Sequence, residues 1–306
     1  MTKQQILQHI NAQYKAQQAR DDHDFESRLE VALKDSQFKD LFEKQRTASL
    51  NKIKNNNKET LDEYKKASQK LLKYIEENNF DLEKHHKCPI CKDTGFVDGK
   101  YCDCKKKLLV SLLKKESNLP TFGTATFNTT DFSKLDVPQS KKMDGIAKDC
   151  NKWAKALDNA SKRIVLLYGG VGVGKSTIAF CTANEAIENG YSVFYTTAYD
   201  FTTMILDKQF NRLLDEEKYI DMLNADLLII DDLGTEHSNS LVVEQLFAII
   251  DSRINENKKT MICSNLSMEQ FHERYGERST SRLTSSSFAY APKNYISGKD
   301  LRKLKC

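Results

Sequence analysis

The sequence predicts an α/β protein, in which a parallel β-sheet flanked by helices forms the C-terminal part and an all-helical region precedes it. Three observations lead to this prediction. Residues 1–87 contain neither glycine nor proline and place apolar residues at helical spacing. Four of the eight cysteines lie within residues 88–104. From about residue 140 onward, helical stretches alternate with short β-branched runs, which is typical of a parallel sheet covered by helices.

The bulk composition restricts the class of protein. A chain of 306 residues has room for roughly two domains. No apolar run approaches the roughly 18 residues of a membrane span, and the N-terminus lacks the apolar core of a signal peptide, so we expect a cytoplasmic protein without a membrane partner. Its cysteines should then be thiols or metal thiolates. The net charge of +4 permits nucleic-acid binding without requiring it.

Residues 1–87 form the first predicted region, a few long amphipathic helices. The expected breaks are near Asp21–Asp22 and at the run Asn55–Asn57. A small bundle or a solvated coiled coil would explain the pattern, and so would a dedicated module that binds a partner protein. These two interpretations are compatible.

Residues 88–104, CPICKDTGFVDGKYCDC, form the second region, a small metal-binding module. A thioredoxin-like pair would need a strand before Cys88 and Cys91, and the preceding helices do not provide one. Disulfides disagree with a reducing compartment. A tetrahedral Zn²⁺ site of four thiolates explains the spacing, with turns at Asp93–Gly95 and Asp98–Gly99 between the two cysteine pairs. The predicted zinc ligands are Cys88, Cys91, Cys102 and Cys104.

A histidine could take the place of one cysteine among the four zinc ligands. The spacing C-x-C is tighter than the common C-x2-C, so His85 or His86 could replace one cysteine. Either way, four protein ligands leave no position for water, and the zinc would be structural, supplying folding energy that so short a segment lacks. Cys150, Cys181 and Cys263 lie in segments that we expect to be core, while Cys306 is the last residue.

Residues 105–125 should form a short basic helix and a linker, and residues 126–306 the α/β domain. Four β-branched runs mark the expected strands of the sheet. They are RIVLLY (163–168), YSVFYTT (191–197), DLLIID (226–231) and TMICSN (260–265).

The segment YGGVGVGKST follows the first of these strands and leads into a helix, which is the context of a phosphate-binding loop. Glycines let the backbone N–H groups converge on phosphates, and the helix N-terminus adds positive potential. Lys175 should reach the β- and γ-phosphates of ATP, and the Ser176 hydroxyl should bind Mg²⁺. The predicted nucleotide-binding residues are Gly169, Gly170, Val171, Gly172, Val173, Gly174, Lys175, Ser176 and Thr177.

Two further strand ends should complete this site. The apolar run DLLIIDD ends in Asp231, expected to bind Mg²⁺, and Asp232, expected to orient or deprotonate the attacking water. Asn265 ends the next strand and should help to position that water. A role for Asn265 as a helix cap is the alternative.

The order of LYGGVGVGKS, LLIIDDLGTE, MICSNLS and ERYGERSTSRL resembles the AAA+ ATPases. In detail, residues 120–306 are similar to bacterial and phage replicative-helicase loaders of the DnaC/DnaI type and to the IstB transposition helpers. The cysteine module followed by a basic helix resembles the Gram-positive and phage branch of the loaders, which carries an N-terminal zinc module.

This resemblance implies two more catalytic residues. Arg278 matches the arginine finger that enters a neighbouring subunit's ATP site, with Arg282 as a rival, and Arg302 matches the sensor-2 arginine. The resemblance thus implies self-association through the ATPase domains. Asp232 stands where many AAA+ proteins have glutamate, and the shorter acid suggests slow, switch-like hydrolysis.

The resemblance also implies a function. A loader would bind the hexameric replicative DNA helicase and place it on single-stranded DNA, with Lys208 and Phe210 as candidate DNA contacts. The alternatives are an IstB-like transposition helper, a clamp-loader subunit and an ATP-binding adaptor with little hydrolysis. Clamp loaders carry their cysteines after the phosphate loop, whereas here they precede it. The implied cofactors are ATP, Mg²⁺ and Zn²⁺.

Overall fold

A computed structural model of the chain describes residues 1–55, 57–121, 123–133, 137–210, 216–236, 240–285, 289–290, 296–298 and 300. It separates into two compact units. The first unit comprises residues 10–105, and the second comprises residues 1–9 together with residues 106–306. The finer division made from the sequence, with boundaries at residues 87, 104 and 125, stays a prediction.

Three long helices make up most of the N-terminal sequence: α1 (Lys3–Ala32), α2 (Ser36–Asn55) and α3 (Lys58–Glu77). The break predicted at Asn55–Asn57 is confirmed, and Asn57 caps α3 by accepting a hydrogen bond from the Thr60 N–H at 2.9 Å. The break predicted at Asp21–Asp22 is wrong, because α1 continues through both residues. Inside a helix, aspartate is less favourable than alanine by only about 0.7 kcal/mol, and packing of the helix offsets this difference.

The true break between α1 and α2 lies at residues 33–35. There the Asp35 carboxylate accepts hydrogen bonds from the N–H groups of Gln37 and Phe38 at 2.9 and 2.8 Å and so starts α2. Phe38 is fully buried in a small core with Ala32 and Leu71. The helices of this unit therefore form a packed bundle with an apolar centre of its own.

The cysteine module contains a two-stranded antiparallel hairpin, β1 (Phe96–Val97) and β2 (Lys100–Tyr101). Its turn is Asp98–Gly99, and both residues have positive φ, at 50° and 74°, as a two-residue hairpin turn requires. Asp93 at 56° and Gly95 at 75° form the other predicted turn. Helix α4 (Asp103–Glu116) follows directly and corresponds to the predicted basic helix.

The predicted parallel sheet is confirmed. Its strands are β3 (Ile164–Tyr168), β4 (Val193–Thr197), β5 (Leu227–Leu233), β6 (Lys259–Ser264) and β7 (Ala289–Tyr290). They are arranged in the order β4-β5-β6-β3-β7, and every pairing is parallel. Strands β3, β5 and β6 are buried almost throughout, which explains their continuous apolar sequences. Their carboxyl ends meet at one edge of the sheet.

Helices connect and cover the strands. They are α5 (Val137–Lys155), α6 (Lys175–Glu188), α7 (Ala198–Gln209), α8 (Glu216–Asn224), α9 (Ser240–Asn255), α10 (Met268–Tyr275) and α11 (Glu277–Thr284), and a 3-10 turn spans Leu157–Asn159. On one side, side chains of β5 and β6 pack with those of α7 and α9 in the main core. Among the described helices, none has the length and apolar character needed to cross a bilayer.

Candidate functional site

The phosphate-binding loop connects β3 to α6. Gly172 and Gly174 have φ angles of 73° and 102°, a backbone conformation that L-side chains rarely adopt. Gly174 is the N-cap of α6, so the helix begins at Lys175 with its free N–H groups directed into the loop. The loop therefore forms an anion cradle of backbone donors at a helix N-terminus.

The Lys175 side chain lies across this loop and is only 5% exposed. Its ammonium donates hydrogen bonds to the carbonyl oxygens of Gly169 and Gly170, at 2.9 and 2.7 Å, and to Oδ1 of Asn265 at 2.6 Å. The cation is thus held at the centre of the cradle, where an anionic phosphate would meet it.

The two acids at the end of β5 differ in exposure. Asp231 is buried and accepts a hydrogen bond from the Tyr195 hydroxyl at 2.7 Å, while its other oxygen accepts one from the N–H of Asp232 at 3.0 Å. Asp232 is exposed, and the pairing of β5 with β6 is irregular between Ile230 and Leu233. This irregularity turns one acid inward and its neighbour toward solvent.

Asn265 links the two halves of the site. Its Nδ2 lies 3.3 Å from Oδ1 of Asp232, and its Oδ1 accepts from Lys175. One cavity of about 440 Å³ is lined by residues of the loop and of three strand ends. The lining residues are Val171, Gly172, Gly174, Lys175, Ser176, Thr177, Phe180, Tyr195, Thr197, Asp231, Asp232 and Asn265.

These residues fit a nucleotide with a divalent cation. The cradle supplies N–H donors and one ammonium for phosphate oxygens, and the Ser176 hydroxyl and Asp231 carboxylate face the same cavity with oxygen donors suited to Mg²⁺. Of the predicted loop residues, Gly169 and Gly170 contribute carbonyl groups to Lys175 instead of lining the cavity, and Val173 is buried beneath it. The structure thus brings the predicted residues on the loop and the strand ends together.

Tyr195 is a site residue that sequence reasoning missed. Burial, followed by the nearby Asp231 carboxylate, raises its pKa far above the usual range, so the hydroxyl stays a proton donor to Asp231. Its ring packs against Phe180 with centroids 5.2 Å apart. Only the parallel pairing of Thr197 with Asp231 brings this tyrosine near the acid, and that register cannot be read from the sequence.

Glu236 is a second residue that the sequence did not reveal. Its carboxylate accepts hydrogen bonds from the Gly234 N–H at 2.7 Å and from the Tyr275 hydroxyl, and it lies 3.4 Å from Nε of Arg274. Burial, followed by Glu236, raises the pKa of Tyr275. The loop after the two acids is therefore tied to the end of α10, immediately before the helix that carries Arg278.

The two arginines implied by the resemblance are only partly described. Arg278 lies in α11, with its side chain outside the described part of the chain, and Arg302 lies outside it altogether. The rival Arg282 forms an ion pair with Asp251 at 2.7 Å. Lys208 and Phe210 lie at the end of α7, where the Lys208 ammonium is 3.6 Å from the centre of the Tyr219 ring and Phe210 is 62% exposed.

The four cysteines of the small module come together. Their sulfur atoms all lie within 4.8 Å of one another, with 3.9 Å between Cys88 and Cys102 and 3.5 Å between Cys91 and Cys104. Neither neighbouring histidine belongs to this set, because Nε2 of His85 contacts Asp81 at 2.9 Å and Nδ1 of His86 faces Asp21 and Asp93. The geometry favours the all-cysteine set over a mixed one.

The surroundings of the cluster suit thiolates around Zn²⁺. The Tyr14 hydroxyl donates a hydrogen bond to the sulfur of Cys104 at 3.1 Å. The N–H of Cys91 is the main cause that lowers the pKa of Cys88 to about 7, whereas burial raises the pKa of Cys104 to about 12, a shift that a bound cation would oppose. Lys105 is buried beside the cluster, its ammonium 3.8 Å from the centre of the Phe96 ring, and adds a positive charge next to four thiolates.

The remaining cysteines behave as expected. Cys150, Cys181 and Cys263 are buried, and burial raises the pKa of each thiol. They are small apolar fillers of the core around the parallel sheet, as predicted. Cys306 lies outside the described residues.

Comparison with known proteins agrees with this site. The family model of the IstB-like ATP binding protein matches residues 109–285. The replicative helicase loader DnaC of Escherichia coli (strain K12) is 26% identical over 52% of this chain and 68% of its own length. The replicative helicase loader DnaI of Bacillus subtilis (strain 168) is 24% identical over 83% of this chain and 85% of its own length.

Two solved structures align with this chain at low TM-scores. The crystal structure of the DnaC helicase loader aligns with a TM-score of 0.45 and 20% identity, covering 57% of this chain and all of that one. Replication initiator DnaA bound to AMPPCP and single-stranded DNA aligns with a TM-score of 0.45 and 20% identity, and this chain spans about half (51%) of its length. The family match covers more than half of the chain and includes the whole nucleotide site, so this protein belongs to the IstB-like ATP-binding proteins.

Proposed function

We propose that this protein is an ATP-dependent loader that places the hexameric replicative DNA helicase onto single-stranded DNA, acting in the cytoplasm. One observation carries the proposal: the relative named replicative helicase loader DnaI matches over 275 residues, more than the ATPase region alone contains. The similarity therefore extends into the helical and cysteine-rich part, and the cavity next to Lys175 gives this arrangement a nucleotide site.

ATP hydrolysis would proceed by positioning and charge stabilisation, with Mg²⁺ neutralising charge that develops on the phosphates. Lys175 would bind the β- and γ-phosphate oxygens, and Ser176 and Asp231 would hold the metal. Asp232 faces solvent at the cavity, where it can orient a water molecule and accept its proton. Asn265, in contact with both Lys175 and Asp232, positions that water relative to the γ-phosphate.

Arg278 would complete the site of a neighbouring subunit. It is placed on α11, which starts directly after the Glu236-bound end of α10. A finger acting on a second copy requires head-to-tail contact, and repetition of such a contact produces a ring or an open spiral. Arg302 is proposed as sensor 2 on the resemblance alone. ATP would then switch assembly, and slow hydrolysis at Asp232 would reverse it.

The helical bundle is the proposed helicase-binding region. Leu50 and Ile53 lie one turn apart near the end of α2 and are 51% and 75% exposed. Exposed branched apolar side chains on adjacent turns are the kind of contact that an amphipathic helix offers to a groove. The cysteine module beside this bundle would hold one structural Zn²⁺ that fixes its fold.

Single-stranded DNA would bind along α7. Phe210 and Tyr199 are 62% and 73% exposed and are separated by 11 residues, close to three helical turns, so they lie on one face. Exposed aromatic rings on one face can each stack on a base of a single strand, and Lys208 adds a positive charge. The Phe210→Ala variant should weaken binding of a fluorescent oligonucleotide about tenfold, since stacking contributes about 1–3 kcal/mol per base.

A pull-down with the host's replicative helicase tests the loader proposal. The full-length protein with ATP should retain the helicase, and the double variant Leu50→Asp, Ile53→Asp should not. The control is Lys44→Asp, which places an aspartate at an exposed position of the same helix without removing an apolar side chain. Failure of the full-length protein to retain the helicase would overturn the proposal.

A transposition helper is the second candidate, favoured by the family description itself. Such a protein would bind duplex DNA in preference to single strands and would retain a transposase in place of the helicase. An ATP-binding adaptor with little hydrolysis is the third, and it would show equal nucleotide turnover in the wild type and in Asp232→Asn protein.

A further inference from the structure

Asp21, His86 and Asp93 form a second group of metal-ligand residues in the N-terminal unit, next to the four cysteines. Nδ1 of His86 lies 3.7 Å from Oδ2 of Asp21 and 3.9 Å from Oδ2 of Asp93, and the three atoms all lie within 4.8 Å of one another. The residues come from three different segments: the middle of α1, the approach to the cysteine module, and the turn after Cys91.

Asp93 is buried, Asp21 and His86 are partly shielded, and two atoms of the group have no hydrogen-bond partner. Asp21 is 10% exposed, Asp93 is 5% exposed and His86 is 21% exposed. Oδ2 of Asp21 and Nδ1 of His86 are both shielded from solvent without any hydrogen bond. An unpaired buried polar atom is costly, by about 1–3 kcal/mol, and each such atom in a native fold requires an explanation.

The group contains two carboxylates and one imidazole. The two carboxylates lie close together, and among the described residues the only ion-pairing group within 4 Å of either is the ring of His86. Backbone N–H groups stabilise the Asp93 carboxylate and Gln17 donates to Oδ1 of Asp21, whereas Oδ2 of Asp21 has no donor. A divalent cation would supply the missing partner of this oxygen and of Nδ1 of His86.

The distances also suit a metal better than hydrogen bonds. Separations of 3.7 and 3.9 Å are beyond the usual hydrogen-bond limit of about 3.2 Å. They are within a few tenths of an ångström of the roughly 3.4 Å between two ligands of a tetrahedral cation with bonds of about 2.1 Å. The three atoms therefore lie close together without forming hydrogen bonds to one another.

We propose that Asp21, His86 and Asp93 bind a second divalent cation, distinct from the ion of the four cysteines. One imidazole nitrogen and two carboxylate oxygens are a ligand set for Zn²⁺, with water as the fourth ligand. The site joins α1 to the cysteine module, because Asp21 lies in α1 and Asp93 in the module. Asp93 also accepts hydrogen bonds from the N–H groups of Lys87 and Cys88 at 2.7 and 2.9 Å. The second ion thereby fixes the backbone that presents the first cysteine ligand.

Metal analysis of the untagged full-length protein tests this assignment. After dialysis against Zn²⁺ and passage through a desalting column, the wild type should retain two equivalents of zinc. The double variant Asp21→Asn, His86→Gln should retain one. The matched control is Asp22→Asn, His85→Gln, which changes the adjacent residues of the same type, both exposed and paired with Lys84 and Asp81. This control should retain two equivalents.

Cobalt spectra separate loss of the second site from loss of the fold. The double variant should keep the intense thiolate-to-cobalt absorption of the cysteine site and lose only the weaker contribution of the second equivalent. One equivalent of zinc in the wild type would overturn the proposal, and so would two equivalents in the Asp21→Asn, His86→Gln variant. If the double variant also loses the thiolate bands, the single variant His86→Gln takes its place. One retained equivalent of zinc in this variant would then support the proposal, and two equivalents would overturn it.

Discussion

The side chains of Lys175 and Asn265 are joined by a hydrogen bond of 2.6 Å from the lysine ammonium to Oδ1 of the asparagine. The amide nitrogen of the same asparagine lies 3.3 Å from Asp232. Asn265 therefore connects the phosphate-binding lysine on one loop with the solvent-facing acid at the end of another strand. Changes at this asparagine should affect hydrolysis more than binding.

Replacing Asn265 with alanine should reduce ATP turnover at least tenfold, equivalent to about 1.4 kcal/mol in the barrier. ATP affinity should change less, because Lys175 keeps its two carbonyl partners and its place in the loop. Turnover and binding of a fluorescent ATP analogue measure the two effects. Asn189→Ala, which removes an exposed amide at the end of α6, is the control. Equal turnover in both variants would contradict the role given to Asn265.

Asp232→Asn should abolish hydrolysis while ATP binding persists. Asparagine has the same shape and also tolerates the left-handed backbone found here, so the fold should be retained. Loss of the carboxylate removes the base that accepts a proton from water, for which about 100-fold or more in rate is expected. Turnover is measured with and without single-stranded DNA. Identical rates for the variant and the wild type would instead support the alternative of an ATP-binding adaptor with little hydrolysis.

Tyr195→Phe should raise the Mg²⁺ concentration needed for half-maximal ATP turnover by severalfold. The hydroxyl holds one oxygen of Asp231 at 2.7 Å, and its loss lets the carboxylate turn away from the metal position. Stability should fall by only about 1 kcal/mol, because the ring still packs on Phe180. A Mg²⁺ titration and a thermal melt check both points. Tyr199→Phe, at a highly exposed tyrosine, should change neither.

At high protein concentration, the Arg278→Ala variant should hydrolyse ATP only as fast per molecule as the wild type does in dilute solution. A mixture of Arg278→Ala with Lys175→Ala protein should recover part of the activity, because one copy supplies the arginine and the other an intact nucleotide loop. Arg282→Ala loses its ion pair with Asp251 and should not be rescued in this way. Full activity of dilute Arg278→Ala protein would disprove action between subunits.

The double variant Cys88→Ser, Cys91→Ser should lose the zinc of the cysteine site and become sensitive to protease within residues 88–104. The segment contains only a two-stranded hairpin of short strands, which cannot fold without support. The helical content should stay near that of the wild type, since the bundle has its own core at Phe38. Cys181→Ala, in the ATPase core, should keep the metal. Metal analysis measures the loss of zinc, and limited proteolysis measures the exposure of residues 88–104.

Much of the fold and of the nucleotide site could be predicted because local rules and the tertiary structure agree there. Gly174 and Lys175 stand in a spacing that the phosphate cradle demands, and β5 is apolar because both of its faces are buried. Tyr195 and Glu236 could not be predicted, since their partners depend on strand register and on the packing of α10. The continuity of α1 through Asp21 also depends on tertiary contacts that outweigh helix propensity.

The backbone of Asp232 has a φ angle of 56°, which most residues other than glycine avoid. A non-glycine residue held in such a conformation costs about 1–3 kcal/mol, so glycine would suit folding better at this position. The proposed role of Asp232 in orienting the attacking water would account for an acid at this strained position. Glycine here would favour folding at the expense of that proposed role.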